Sequence, residues 1–268
     1  HYTFLIISIA LGSSFLWAER PKIGSVIRHD PSFDKLIAKD AEIEVLASGF
    51  VWSEGPVWDR KNNRLLWSDV PANTIYQWSE DKEGHSVFMT PSGYTGVTAG
   101  YPEPGSNGLS FDAKGRLVSC EHGDRRVAML TPEGGKVTLA DNYDGKRFNS
   151  PNDLAIHSSG AIYFTDPPYG LPRREKDPRR ETDWFGVYRI ETNGEVSLLT
   201  KECDRPNGIA LSPDEKKLYV AQSHGPKPYI FSWDIKEDGT LGPQKVLFDC
   251  STLARNCLLY TSPSPRDA

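Results

Sequence analysis

A chain of 268 residues with a net charge of −5 and an isoelectric point near 5.7 is long enough for a substantial core. It has no basic stripe to neutralise phosphates, which excludes a nucleic-acid partner. Seven Trp, eleven Tyr and eleven Phe against two Met, with 23 Gly and 20 Pro, favour short strands joined by tight turns. Four cysteines without a CxxC spacing exclude a cysteine zinc site and a disulfide scaffold; one opportunistic disulfide is left open for an exported protein, with Cys120 and Cys203 the pair in question.

Residues 4–18 (FLIISIALGSSFLWA) are apolar and run into the polar Glu19-Arg20-Pro21-Lys22. The run is too short for a stable membrane span and has the length of a signal-peptide core, so residues 1–18 read as a leader remnant of an exported protein, periplasmic or secreted. A buried N-terminal strand or helix is the alternative. Residues 19–40 form a lead-in, and EIEVLA at 42–47 has the form of an outermost sheet strand.

Over residues 41–251 one phrase recurs: EGPVWDRKNNRLLWSDV from Glu54, NGLSFDAKGRLVSCEHG from Asn107, NDLAIHSSGAIYFTDPPYG from Asn152 and NGIALSPDEKKLYVAQSHG from Asn207. The intervals are 53, 45 and 55 residues. Each phrase is a polar residue, an apolar strand, a turn, and a second strand. Behind each comes another pair: TIYQW and SVFMT, RVAML and KVTLA, GVYRI and EVSLLT, YIFSW and KVLFD. Four strands per unit at this period predict an all-β fold, a partial β-propeller of about four blades. A sandwich also has many short strands, but it would not repeat a polar residue at the head of every fourth one.

The first strand of each unit starts at one face, beside the central channel, and the second strand returns to it. Asp69, Glu121, Asp166 and Ser223 therefore join Glu54, Asn107, Asn152 and Asn207 there. The long connections 90–106, 142–151 and 167–184 share that face, where a site is expected. One carboxylate and several amide oxygens converging on an axis suit a hard divalent cation. Asn-Gly is also a tight-turn dipeptide, and that reading explains Asn107 equally well. His122 and His224 follow second strands, as base, substrate contact or solvated loop histidine. The charged insert 171–184 is a lid or a solvated loop, and no GxSxG elbow supports a serine nucleophile.

SEGPVW at 53–58, SNGLSFDAKGRL at 106–117, FNSPNDL…IYFTDPPYG at 148–170 and RPNGIALSPDEKKLYV at 205–220 resemble the gluconolactonase/regucalcin (senescence-marker-protein) family of six-bladed propellers. The resemblance implies one divalent cation in the channel, Ca²⁺ first, with Mg²⁺, Zn²⁺ or Mn²⁺ as alternatives. It implies Glu54 and Asn207 as metal ligands and Asn152 as the residue touching water or substrate, with Asp153 beside it in the catalytic set. Asn107, Glu121 and His122 are the substrate-side candidates. The family's ligating Asp belongs to a PDG phrase absent here; after Asp249 the chain reads CSTLARNCLLYTSPSPRDA, and residues 252–268 read as a non-native tail of a truncated chain.

The expected activity is hydrolysis of a sugar lactone by a monomer or weak oligomer, with the cation as Lewis acid. The rivals are a non-catalytic exported binding module with a structural cation, and an inactive fragment.

Overall fold

The computed structural model describes residues 20–252, so the leader 1–18 and all but Thr252 of the tail lie outside the described residues. The chain divides into two compact units, one up to Ser48 and one from Gly49 onward. In the first, a 3₁₀ turn at Pro31–Lys35 is capped by Asp30, whose side chain accepts from Ser32 N at 2.7 Å. The segment 42–47, with the form of an outermost strand, joins none of the four sheets. It makes a single antiparallel bridge, Lys22↔Glu44, because its backbone bonds go to the nearby segment around Pro21 and Ile23.

The second unit is four antiparallel four-stranded sheets in chain order. Blade A holds β1 (Ser53–Asp59), β2 (Arg64–Asp69), β3 (Thr74–Trp78) and β4 (His85–Met89). Blade B holds β5 (Ser106–Phe111), β6 (Leu117–Glu121), β7 (Arg126–Leu130) and β8 (Lys136–Ala140). A hairpin, β9 (Asn142–Tyr143) and β10 (Lys146–Arg147), precedes blade C: β11 (Leu154–Ile156), β12 (Ile162–Asp166), β13 (Gly186–Ile190) and β14 (Val196–Thr200). Blade D holds β15 (Pro206–Leu211), β16 (Lys217–Gln222), β17 (Tyr229–Asp234) and β18 (Lys245–Asp249). These are four blades of a β-propeller, with the strands where the turn signals put them. No helix among the described residues is long and apolar enough to cross a membrane.

The burial gradient explains the pattern. Strands β6 and β12 are buried at every position, their apolar residues joined by the buried polar Ser119, Glu121, Thr165 and Asp166, whereas β18 is exposed throughout. Apolar side chains pack between consecutive sheets. Leu66, Ile75, Leu109 and Leu117 fill the space between blades A and B. Val118, Phe148, Phe164 and Tyr188 lie between B and C, and Tyr163, Val187, Leu218 and Trp233 between C and D. Phe148 meets Phe164 edge-on with ring centroids 5.0 Å apart, and Phe164 stacks on Tyr188 at 5.3 Å. Each such ring contributes about 1.5–3 kcal/mol by burial. Cys120 and Cys203 belong to different inter-blade cores and are both free thiols, so the open disulfide does not form.

Candidate active site

Three repeated devices deliver the polar residues to one end of the first strands. The first is a cap from the end of the second strand. Asp69 accepts from Val51 N and Trp52 N at 3.0 and 3.1 Å, and Asp166 accepts from Asn149 N and Ser150 N at 2.8 and 2.7 Å. Gln222 Oε1 accepts from Asp204 N at 2.7 Å. The capped backbone lies two or three residues ahead of Glu54, Asn152 and Asn207. The repeat position equivalent to Asp69 is thus Gln222, one residue before the Ser223 read from the sequence. Burial pushes Asp166 up to about 7 despite its backbone donors.

The second device is a hydroxyl that reaches to the next blade: Ser68 Oγ donates to Asn107 O at 2.9 Å, and Thr165 Oγ1 to Asn207 O at 2.6 Å. Cys120 occupies that position in blade B, and there Gly108 N donates to Asn152 O at 2.7 Å instead. The third device is close approach of neighbouring first strands. A Cβ on Gly55 would lie 2.1 Å from Asn107 O, and one on Gly108 would lie 2.5 Å from Asp153 Oδ1, so both positions exclude a side chain.

These devices bring Asn107, Asn152 and His122 into contact and place Glu54 in the field of Asp153. His122 is fully buried, and its Nε2 sits 3.4 Å from Asn107 Nδ2 and 3.3 Å from Asn152 Nδ2. Its Nδ1 faces Glu103 Oε2 at 3.7 Å. Asn152 Oδ1 is buried without a protein partner, an arrangement that costs about 1–3 kcal/mol unless a ligand completes it. Glu54 accepts from Trp52 Nε1 at 2.7 Å; desolvation raises its pKa first, and the charges of Asp153 and Glu103 raise it further. Asp153 is also raised by burial, and its oxygens accept from Leu154 N at 2.9 Å and Ile209 N at 3.1 Å. Asn207 Nδ2 donates to Ser223 Oγ at 3.2 Å, and Tyr169 Oη lies 2.6 Å from the same hydroxyl.

Glu121 is not in this cluster. It is fully buried but faces the other side of its strand from His122, where Arg126 Nε at 2.6 Å, Lys136 Nζ at 2.5 Å and Ser119 Oγ at 3.2 Å hold it. His224 lies apart, with Nδ1 3.1 Å from Asp204 Oδ2. The insert 171–184 is tied down: Asp177 accepts from Arg179 Nε and Arg173 N, Arg205 pairs with Glu175 at 2.5 Å, and Arg125 donates to Arg179 O. Sequence reasoning missed Glu103, Ser223 as a hydrogen-bond acceptor for Asn207, and Tyr169. Glu103 and Tyr169 were marked only by their position in long connections, and Ser223 only by its place after the second strand of its blade.

Among the described residues no three His, Cys, Asp or Glu side chains are arranged as a metal cluster. The ligands expected from the sequence, the carboxylate of Glu54 and the amide of Asn207, offer hard oxygens. The crowding of Glu54 with two other carboxylates and the unpartnered Asn152 Oδ1 fit a hard divalent cation.

A β-propeller whose first strands carry one carboxylate and a series of amides at the axial end is the class that this fold and site define. Residues 52–256 match the family model described as SMP-30/Gluconolactonase/LRE-like region, and the chain belongs to that family. It is 42% identical over 220 residues to the gluconolactonase of Zymomonas mobilis subsp. mobilis, an overlap covering 81% of this chain and 62% of that protein. It is 25% identical to human regucalcin over 185 residues, 68% of this chain and 56% of the relative. It thus spans about six-tenths of the length of these curated relatives. The solved structure of a gluconolactonase from Xanthomonas campestris superposes with a TM-score of 0.69 at 33% identity, over 85% of this chain and 71% of that one. Agrobacterium tumefaciens regucalcin, at 17% identity and a TM-score of 0.56 over 76% of this chain and 61% of that one, shares the fold.

Proposed function

We propose that the protein hydrolyses sugar lactones of the gluconolactone type with a divalent cation at the channel axis, Ca²⁺ ahead of Mg²⁺, Zn²⁺ or Mn²⁺. The observation that carries this reading is the buried Asn152 Oδ1, unpartnered beside Asn107 and His122 in a family whose relatives include gluconolactonases. Glu54 and Asn207 would hold the cation, which when bound polarises a carbonyl oxygen and acidifies water.

The residues of the chain divide the remaining work. Asn152 positions the attacking water or a substrate hydroxyl, which donate to its amide oxygen, and Asn107 lies beside it against the same His122 ring. Asp153, its carboxylate held by two backbone donors, is fixed beside Glu54 and raises that group's pKa further. In the reaction the water oxygen bonds to the carbonyl carbon and the ring C–O bond breaks. One water proton ends on the former ring oxygen, giving the hydroxy acid. Export to the periplasm or the outside is part of the proposal, on the apolar run at 4–18.

The test is δ-gluconolactone hydrolysis followed by pH-stat, with the spontaneous rate subtracted. Chelation and Glu54→Gln should each lower the rate by about 100-fold, and added Ca²⁺ should restore the chelated wild type. Full rates in both the chelated protein and the Gln variant would falsify the reading.

A further inference from the structure

We propose that His122 is a positioning residue that sets the direction of two side-chain amides, turning the NH₂ groups of Asn107 and Asn152 toward itself and so presenting both oxygens to the ligand. The inference rests on the lactonase reading for its kinetic consequence and on geometry alone for its spectroscopic one. An asparagine amide has two ends of nearly equal size, and packing alone barely distinguishes them. A site that needs the oxygen end requires a neighbour that accepts only the nitrogen end. His122 Nε2 stands 3.4 and 3.3 Å from the two amide nitrogens. On the other side of the ring, Nδ1 faces the Glu103 carboxylate at 3.7 Å. That negative charge favours the proton on Nδ1, and a neutral imidazole protonated there has only a lone pair at Nε2.

The ring is also fixed in place. Gly170 closes over it so tightly that a Cβ there would lie 2.4 Å from His122 Cβ. Blade D repeats the device with a different side chain. Ser223 occupies the place that His122 has in blade B, one residue past the second strand, and accepts from Asn207 Nδ2 at 3.2 Å with Tyr169 bracing its hydroxyl. In blade C that place is Pro167, which has no side-chain acceptor. Asn152 therefore takes its acceptor from the neighbouring blade, and a long, two-sided imidazole in blade B reaches both amides where a serine would reach one.

The experiment compares His122→Gln, which keeps an acceptor oxygen, with His122→Phe, which keeps the ring and removes the acceptor. In the wild type, ¹⁵N spectra of the imidazole should show the Nδ1–H tautomer at neutral pH; an imidazole protonated at Nε2 overturns the proposal. In the Phe variant kcat for δ-gluconolactone should fall about 10- to 100-fold, with the thermal midpoint and Ca²⁺ affinity close to wild type. The Gln variant should recover most of the loss. Equal impairment of the two variants, or full activity in Phe, refutes the positioning role. Should the Phe variant fail to fold, the tautomer decides. A wild type without lactonase activity removes the functional reading and leaves the tautomer as the arbiter of this one.

Discussion

Gly55→Ala isolates the contact that brings the first strands together at the axis. Gly55 has φ +56, and a Cβ there would lie 2.1 Å from Asn107 O and 2.9 Å from Asn107 C, distances that carbon atoms do not reach without backbone movement. Two costs therefore add. A left-handed conformation costs a non-glycine residue about 1–2 kcal/mol. Overpacking against backbone that cannot swing aside costs about 1–3 kcal/mol more. Gly115→Ala is the control: its φ is +73, but nothing lies within 4 Å of the added carbon, so it carries the first cost alone. Urea unfolding should place Gly55→Ala about 2–5 kcal/mol below wild type and Gly115→Ala about 1–2 kcal/mol below. In thermal melts the difference between the two corresponds to roughly 2–12 °C for a protein of this size. Because Gly55 follows Glu54, Ca²⁺ affinity should fall in the first variant and hold in the second. Equal midpoints for the two variants would show that the blades do not meet as tightly as this contact requires.

Two further outcomes follow from buried titratable groups. Burial pushes Asp166 up to about 7, so the folded protein keeps that proton over a range where the unfolded chain has released it. The contribution is fully present below about pH 4 and is lost as pH rises through 7, by up to roughly 4 kcal/mol. Urea unfolding at several pH values should show this loss in wild type and a flatter profile in Asp166→Asn; parallel profiles would remove Asp166 as the cause. Burial likewise pushes Cys203 up to about 12 and Cys120 well above the ordinary thiol value, whereas Cys250 is half-buried. Alkylation of the native protein at pH 8, read by peptide mass spectrometry, should modify Cys250 and spare the other two until urea unfolds the chain; labelling of Cys120 in the native state would contradict its place in the core.

The blades were legible because two signals repeat together: a turn every few residues and a polar head on every fourth strand. Strands such as Arg126–Leu130 and Lys136–Ala140 fall where the residue pattern puts them. The axial residues were legible as positions but not as atoms. Glu121 ends its strand and is taken by the ion partners Arg126 and Lys136, whereas His122 lies one residue beyond the strand and turns to Asn107 and Asn152. Glu103 arrives from the connection between blades A and B, where no periodicity constrains a side chain. The hairpin at Asn142–Arg147 was hidden in the same way, although Asp144-Gly145, both at positive φ, carries the dipeptide signature of such a turn. Residues 42–47 have the composition of a strand, but composition does not say which backbone they pair with.

The departure of one phrase from the other three carries the clearest physical consequence. Glu54, Asn107 and Asn207 are each followed by glycine, and Asn152 is followed by Asp153. The missing side chain of Gly108 leaves room for the Asp153 carboxylate, which would otherwise meet a Cβ at 2.5 Å. That carboxylate accepts from Leu154 N of blade C and Ile209 N of blade D, so one side chain ties these two blades where blade B packs closely against it. A neutral hydrogen-bonding residue could form such a tie without the desolvation cost that raises the Asp153 pKa. What the carboxylate adds is charge that cannot swing away, since both oxygens are held by backbone donors. Its field is one reason that Glu54 resists ionisation. Under the proposed function the same field favours a cation, and at a pH where the raised Glu54 still carries its proton, cation binding should release it. Calorimetric Ca²⁺ titration in two buffers of different ionisation enthalpy measures that proton; identical apparent enthalpies would mean that Glu54 is already ionised and that Asp153 acts as a brace alone.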